Sequence, residues 1–207
     1  MTTRGKFITF DGIDGAGKST QIQRLAAYLT AQGKTVHVTR EPGGTALSEK
    51  IRALFLDKAN PMSSLTELLL MFASRAEHIE RVLRPKVEAG EWIICSRFTD
   101  ATMAYQGYAR QVNLGHIKAL ADVVHGDFNP DISFFLDLPA EVAAQRRAAR
   151  GGEADRIEAE ALSFMQAVRS GYLAIAEAEP ARCKVIDATQ SIDEMAAAIR
   201  HYLGGHF

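Results

Sequence analysis

A chain of 207 residues, 47% hydrophobic and 24% charged, has the make-up of one well-cored globular domain and is neither a disordered nor a fibrous sequence. Its formal net charge of −1 gives no field that would draw it onto nucleic acid or an anionic membrane, and no apolar run approaches spanning length. Its two cysteines, Cys95 and Cys183, lie in or at the start of apolar runs and read as buried strand residues, which excludes a disulfide framework. Residues 1–6 lead straight into a strand without a signal-peptide pattern, so a cytoplasmic protein is expected.

The first apolar run, Phe7–Phe10, leads into Gly12-Ile13-Asp14-Gly15-Ala16-Gly17-Lys18-Ser19-Thr20, which matches GxxxxGK[ST] between a strand and an amphipathic helix that Gly33 would stop. Glycines let the loop curl so that successive N–H groups meet phosphate oxygens, and the helix start adds the positive end of its dipole. Lys18 would bridge the β- and γ-phosphates of a nucleoside triphosphate, and Ser19 would offer its hydroxyl to Mg²⁺. The second run, Val36–Thr39, precedes Arg40-Glu41-Pro42-Gly43-Gly44-Thr45, a tight loop that serves either as a turn or as part of a site. Ser64 with Glu67 reads as a capping box opening a long helix over about 65–87 that stops at Gly90. On it Phe72 and Arg75 share a face. Together they suit a nucleobase, although Phe72 taken alone reads as core.

The third run, Trp92–Cys95, is followed by Ser96-Arg97, with Arg97 at a central strand end where phosphates bind. Thr102, Tyr105 and Gln106 are spaced to project from one side of a helical turn, with a hydroxyl, a phenol and an amide for reading a base edge and a sugar. After the fourth run, Ile132–Leu136, Pro139 suits the first position of a helix that ends in Arg146-Arg147-Ala148-Ala149-Arg150-Gly151-Gly152. Arginines around a glycine pair read as a lid over transferring phosphates, against the plainer reading of a solvated basic helix end. The last run, Val185–Ile186, precedes Asp187–Gln190, placed to pack near adenine, and a second capping box, Ser191 with Glu194.

Five short apolar runs alternating with helical stretches predict a three-layer α/β P-loop NTPase fold. It would be a single domain over 1–207, with a five-stranded parallel sheet, helices on both faces and a short mobile lid at about 146–158. Ligands are expected at the carboxyl ends of the strands.

DGIDGAGKST, TREPGGT, LLLMFASRAEH, SRFTDATMAYQG and ARGGEADRIEAE occur in the order found in bacterial thymidylate kinases, and the chain resembles that family from Phe7 to about Gly204. The resemblance implies ATP and dTMP as substrates, dTDP as product, Mg²⁺ as the accompanying ion, and a homodimer packed through the long helix. ATP would lie on residues 12–20 and Arg146. The dTMP site would include Pro42, following a cis peptide as in related kinases, with Phe72 stacking on thymine, Arg75 at the base or its phosphate side and Arg97 on the phosphate. Thr102 and Gln106 would meet the base edge, Tyr105 the sugar, and Asp155 and Glu158 would lie beside the nucleotide. Lys18, Asp14, Arg97 and Arg150 would be catalytic. Where one class of the family carries the transition-state arginine in the P-loop, this chain has Gly15, so the arginine is expected from the lid, Arg150 first, with Arg146, Arg147 and Arg156 as neighbours.

Two departures stand out. Ser96 occupies the position of a usual Asp, leaving Asp14 and Asp11 to supply negative charge, and the lid is a residue longer at Gly151-Gly152. The alternatives are a kinase for another deoxynucleoside monophosphate and a non-catalytic nucleotide-binding homologue, which Ser96 alone favours. A switch GTPase would need an NKxD element, which the chain lacks, and a motor an acidic strand end, for which Asp137 is the best match.

Overall fold

A computed structural model describes residues 4–151 and 153–204, the side chain of Arg150 excepted. Its five strands are β1 (Phe7–Asp11), β2 (Val36–Arg40), β3 (Trp92–Ser96), β4 (Ile132–Asp137) and β5 (Cys183–Asp187). Each predicted run is a strand, the first four extended by one residue and the last, Val185–Ile186, by three. They form one sheet in the order β2-β3-β1-β4-β5, with every neighbouring pair parallel. From β1 the chain moves to the β2 side, and from β3 it crosses to the β4 side. The carboxyl ends of β1 and β3 therefore flank the point where the winding reverses, and there a parallel sheet opens a crevice.

Burial on both faces holds for β1, β3 and β4 in the middle. At the edges it fails: Val38 of β2 and Val185 of β5 are exposed, since an edge strand has covering elements on fewer sides. The main core joins Phe10, Ile94, Phe134 and Phe135 of the sheet to Ile22, Leu25 and Leu29 of α1 (Lys18–Ala31). Those α1 positions recur at helical spacing, so one face of the helix covers the sheet. Gln32 caps α1, and Gly33 follows it with φ 78°.

Helix α2 (Ala46–Leu56) is capped by Thr45, whose hydroxyl accepts from the Ser48 N–H at 3.0 Å. Helix α3 (Ser64–His78) starts one residue earlier than a Ser64 cap would allow. Ser63 is the capping residue and Thr66 its partner, which frees Glu67 for a buried role. The long helix is continuous but not uniform: a π-helical turn, Ile79–Leu83, separates α3 from α4 (Arg84–Glu88). Pro85 explains the wider turn, because it lacks an N–H and its ring crowds the carbonyl four residues back.

Helix α5 (Thr99–Thr102) passes directly into a second π-helical turn, Met103–Ala109. Next come α6 (Leu114–Val124), α7 (Ala140–Arg150), α8 (Leu162–Ala178) and α9 (Ile192–Gly204). Pro139 is the residue before α7 and not its first helical position. The Ser191–Glu194 box forms as read, each backbone N–H donating to the other side chain. Among the described residues no helix is long and apolar enough to cross a membrane.

Candidate active site

Strand β1 delivers the glycine loop to the crevice. Ile13 and Ala16 are buried in the core, so these two anchor the loop and leave its backbone to face a ligand. Gly12 has φ 123°, and a Cβ there would lie 2.5 Å from the Leu136 carbonyl oxygen of β4, so only glycine fits. Lys18 folds back over the loop: its ammonium donates to the carbonyls of Gly12 (2.8 Å) and Ile13 (3.0 Å) and to Asp14 Oδ1 at 3.2 Å. Burial and the nearby Arg97 bring Lys18 down to about 8 against the pull of Asp14. Ser19 and Thr20 are exposed on the first turn of α1.

Arg97 follows β3 with φ 71°, a left-handed conformation uncommon outside glycine, fixed by its N–H donating to Phe10 at 2.9 Å. Its guanidinium donates to Asp14 Oδ1 at 2.9 Å and to the Tyr172 hydroxyl at 3.1 Å, and lies 4.8 Å over the Tyr105 ring. Burial acts to raise Asp14, but Lys18 and Arg97 hold its carboxyl well below the usual range. Asp11 is different. Burial, then Asp100, pushes it up to about 7. Tyr172 donates to one of its oxygens at 3.2 Å, and the other has no partner among the described residues. Of the two acids expected to compensate for Ser96, Asp14 keeps its charge and Asp11 titrates near neutrality.

The loop after β2 holds a cis Glu41–Pro42 peptide. Buried Glu41 accepts from Arg75 Nε at 2.7 Å and lies 3.1 Å from His78 Nδ1. Burial opposes its charge, yet Arg75 and His78 hold its carboxyl below its ordinary value. Arg75 itself is enclosed, donating also to the Phe98 carbonyl and the Thr102 hydroxyl, each at 3.0 Å, between the rings of Phe72 and Phe98.

A cleft opens beside these groups. Of the predicted residues, Asp14, Pro42, Arg97, Tyr105 and Gln106 line it. Phe72, Arg75 and Thr102 do not: they are buried behind its wall, Phe72 packing with Leu68, Ile117 and Ala121. From α3 it is Met71 that faces the cleft. Positions 71 and 72 both share a face with 75 at helical spacing, so periodicity does not choose between them. Arg52 and Phe55 of α2 line the cleft too, unforeseen, and their three-residue spacing on a helix leaving the Pro-Gly-Gly loop was the available signal. Arg52 also donates to the Pro42 carbonyl at 3.1 Å.

After α7, Asp155 accepts from the N–H groups of Ile157 (2.9 Å) and Glu158 (2.8 Å), forming a turn that puts Ile157, not either acid, into the cleft wall. Arg156 bonds to the Phe55 carbonyl (2.8 Å) and to Glu67 (2.8 Å). On α7, Arg146 is exposed, whereas Arg147 donates to the Asp14 carbonyl at 3.0 Å. The Arg150 side chain lies outside the described residues. Gly15 has φ 97°, and a Cβ there would come within 2.9 Å of the Ala143 carbonyl of α7. The helix thus occupies the space an arginine at 15 would need. Asp137 is held by Arg169 through two bonds of 2.6 and 2.8 Å, and Asp187 accepts from its own Thr189.

A Thymidylate kinase family model matches residues 10–199. A thymidylate kinase of Pseudomonas syringae pv. tomato is 51% identical over 196 residues, covering 94% of this chain and 93% of that protein. One of Alkalilimnicola ehrlichii is 46% identical over 202 residues, with 97% and 93% covered. The crystal structure of thymidylate kinase from Ehrlichia chaffeensis superposes with a TM-score of 0.79 at 37% identity, covering 97% of this chain and 99% of that one. With a family model matched over residues 10–199 and a relative half identical along nearly its whole length, the chain belongs to the thymidylate kinase family.

Proposed function

We propose that the chain moves the γ-phosphoryl of ATP onto dTMP, giving dTDP and ADP, with the donor on the glycine loop and the acceptor in the adjoining cleft. One observation carries this arrangement: Asp14 Oδ1 accepts from both Lys18 and Arg97. The lysine of the donor loop and the arginine of the acceptor cleft therefore meet at one atom, and a phosphate on each would be in contact. The acceptor is already an anionic oxygen nucleophile, so the protein's task is alignment and charge compensation rather than proton abstraction. Lys18 would exchange the loop carbonyls for phosphate oxygens. Arg97 and Arg52 would hold the acceptor phosphate, with Asp14 fixing the Arg97 fork. Met71 and Phe55 would give the base an apolar floor and Tyr105 would lie against the sugar. Gln106 would read the base edge. Phe72, Arg75 and Thr102 would act from behind, as the rigid wall on which Met71 and Tyr105 stand.

Mg²⁺ fits the donors present. No cluster of three His, Cys, Asp or Glu side chains able to hold a metal occurs among the described residues. That suits an ion carried mainly by nucleotide phosphates, with the exposed Ser19 hydroxyl as its protein ligand. When bound it would neutralise charge on the phosphates. Both cysteines are free and buried, in keeping with action in the cytoplasm. A homodimer is supported by the apolar residues left exposed on three adjacent helices: Leu47 and Leu54 of α2, Leu65 and Leu69 of α3, and Val123 of α6.

The test is ADP release with Mg-ATP and each nucleoside monophosphate in turn. Fast turnover with dTMP, slower with dUMP and negligible with AMP, CMP or GMP is expected. Preference for a purine monophosphate would sink the acceptor assignment, and ATP binding without turnover on any acceptor would sink the kinase reading.

A further inference from the structure

Glu67 lies in the first turn of α3, and its side chain is 1% exposed. Its Oε1 accepts from Gln106 Nε2 at 2.7 Å. Its Oε2 accepts from Arg156 Nη1 at 2.8 Å, and the Arg110 guanidinium lies against both oxygens at 3.4 and 3.5 Å. Arg156 is in turn fixed by donating to the Phe55 carbonyl, so the carboxylate is held from one side and cannot swing away from Gln106.

We infer that Glu67 is a positioning residue that sets which pyrimidine the cleft accepts, by dictating which end of the Gln106 amide faces the base. The chemistry leaves one orientation. A carboxylate only accepts hydrogen bonds, so the amide must turn its NH₂ toward Glu67. Gln106 lines the cleft, and Oε1 is then the amide atom left for it. Toward a ligand, Gln106 is an acceptor. An imide ring such as thymine or uracil meets it with N3–H, a donor. Cytosine presents a lone pair at N3, so two acceptors would confront each other, both desolvated. A buried polar group left unpaired in this way costs enough to exclude a base, and sites built around one hydrogen bond discriminate strongly against analogues that cannot make it. Glu67 touches no ligand in this scheme. It acts through Gln106, and the inference rests on the reading of Gln106 as a base contact.

The experiment measures kcat and KM for dTMP and for dCMP, at saturating Mg-ATP, in the wild type, Glu67→Gln, Glu67→Asp, Gln106→Met and the Glu67→Gln/Gln106→Met double variant. A glutamine at 67 lets the Gln106 amide turn over, so the ratio of kcat/KM for dTMP to that for dCMP should fall about 10- to 100-fold. The change should lie mainly in KM. Glu67→Asp keeps the charge that Arg110 and Arg156 need, and so keeps the fold, but withdraws the acceptor; it should lower the same ratio less. Gln106→Met should lose the discrimination by itself, and adding Glu67→Gln to it should change the ratio no further. An unchanged ratio in both Glu67 variants overturns the inference, as does a further fall in the double variant. A wild type that phosphorylates dCMP as well as dTMP would instead remove the base reading itself, and this inference with it.

Discussion

Lys18 shows how a single residue carries the site's electrostatics. Burial and Arg97 act against its charge while Asp14 supports it, and the balance brings it to about 8. Below that value the ammonium is charged and attracts phosphates. As pH rises through it, the free enzyme loses the proton and with it the attraction. We expect kcat/KM for ATP, which reports the free enzyme, to fall with a slope of about −1 in its logarithm above pH ~8. A profile flat to pH ~9.5 would contradict the lowered lysine. Lys18→Arg should move the fall out of range while reducing kcat, because a planar fork does not replace a compact ammonium inside the loop.

At the scale of elements, the pairing of the glycine loop with α7 decides where an arginine can act. A Cβ at Gly15 would meet the Ala143 carbonyl, and Arg147 reaches the Asp14 carbonyl from the same helix. If Arg147 exchanges that carbonyl for the transferring group, Arg147→Ala should lower kcat at least 10-fold, with a smaller effect on KM for dTMP, since such a contact acts most in the transition state. Unaltered kcat in that variant, with a large loss in Arg150→Ala, would return the role to Arg150. Much of this architecture was legible beforehand. Five continuous apolar runs gave the strands because both faces of a parallel sheet are covered, and GxxxxGKS gave the loop because each residue in it has a backbone or phosphate reason. The π-helical turns were not legible, since no periodicity announces them, although Pro85 marks one. Nor was the choice of Met71 over Phe72, which depends on how α3 rotates against α6. Arg52 and Phe55 were hidden because a helix position acquires its role only once the loop before it has been folded into place. Glu67 was misread as a cap partner: its spacing from Ser64 fits a capping box, and only the approach of Gln106, Arg110 and Arg156 shows its other use.

For the molecule as a whole, the open question is assembly. Leu65 and Leu69 are 57% and 49% exposed, four residues apart on α3, and Val123 on neighbouring α6 is 83% exposed. Apolar side chains grouped in this way on adjacent helices suit the proposed dimer, in which a two-fold axis would bury the patch against the same patch of a second copy. Light scattering after size-exclusion chromatography should give twice the 22.6 kDa chain mass, and Leu69→Asp should shift the equilibrium to monomer. A wild type monomeric at micromolar concentration would refute the interface. The same helices have a second face: α2 turns Arg52 and Phe55 into the cleft and Leu47 and Leu54 outward, while α3 turns Met71 inward and Leu65 and Leu69 outward. In a dimer packed this way, the walls proposed to hold the acceptor would also be the walls that meet the neighbour. Dilution that separates the copies would loosen α2 and α3 from outside, so enzyme concentration would enter the rate law, with activity per chain falling in dilute assays and recovering when the acceptor is abundant.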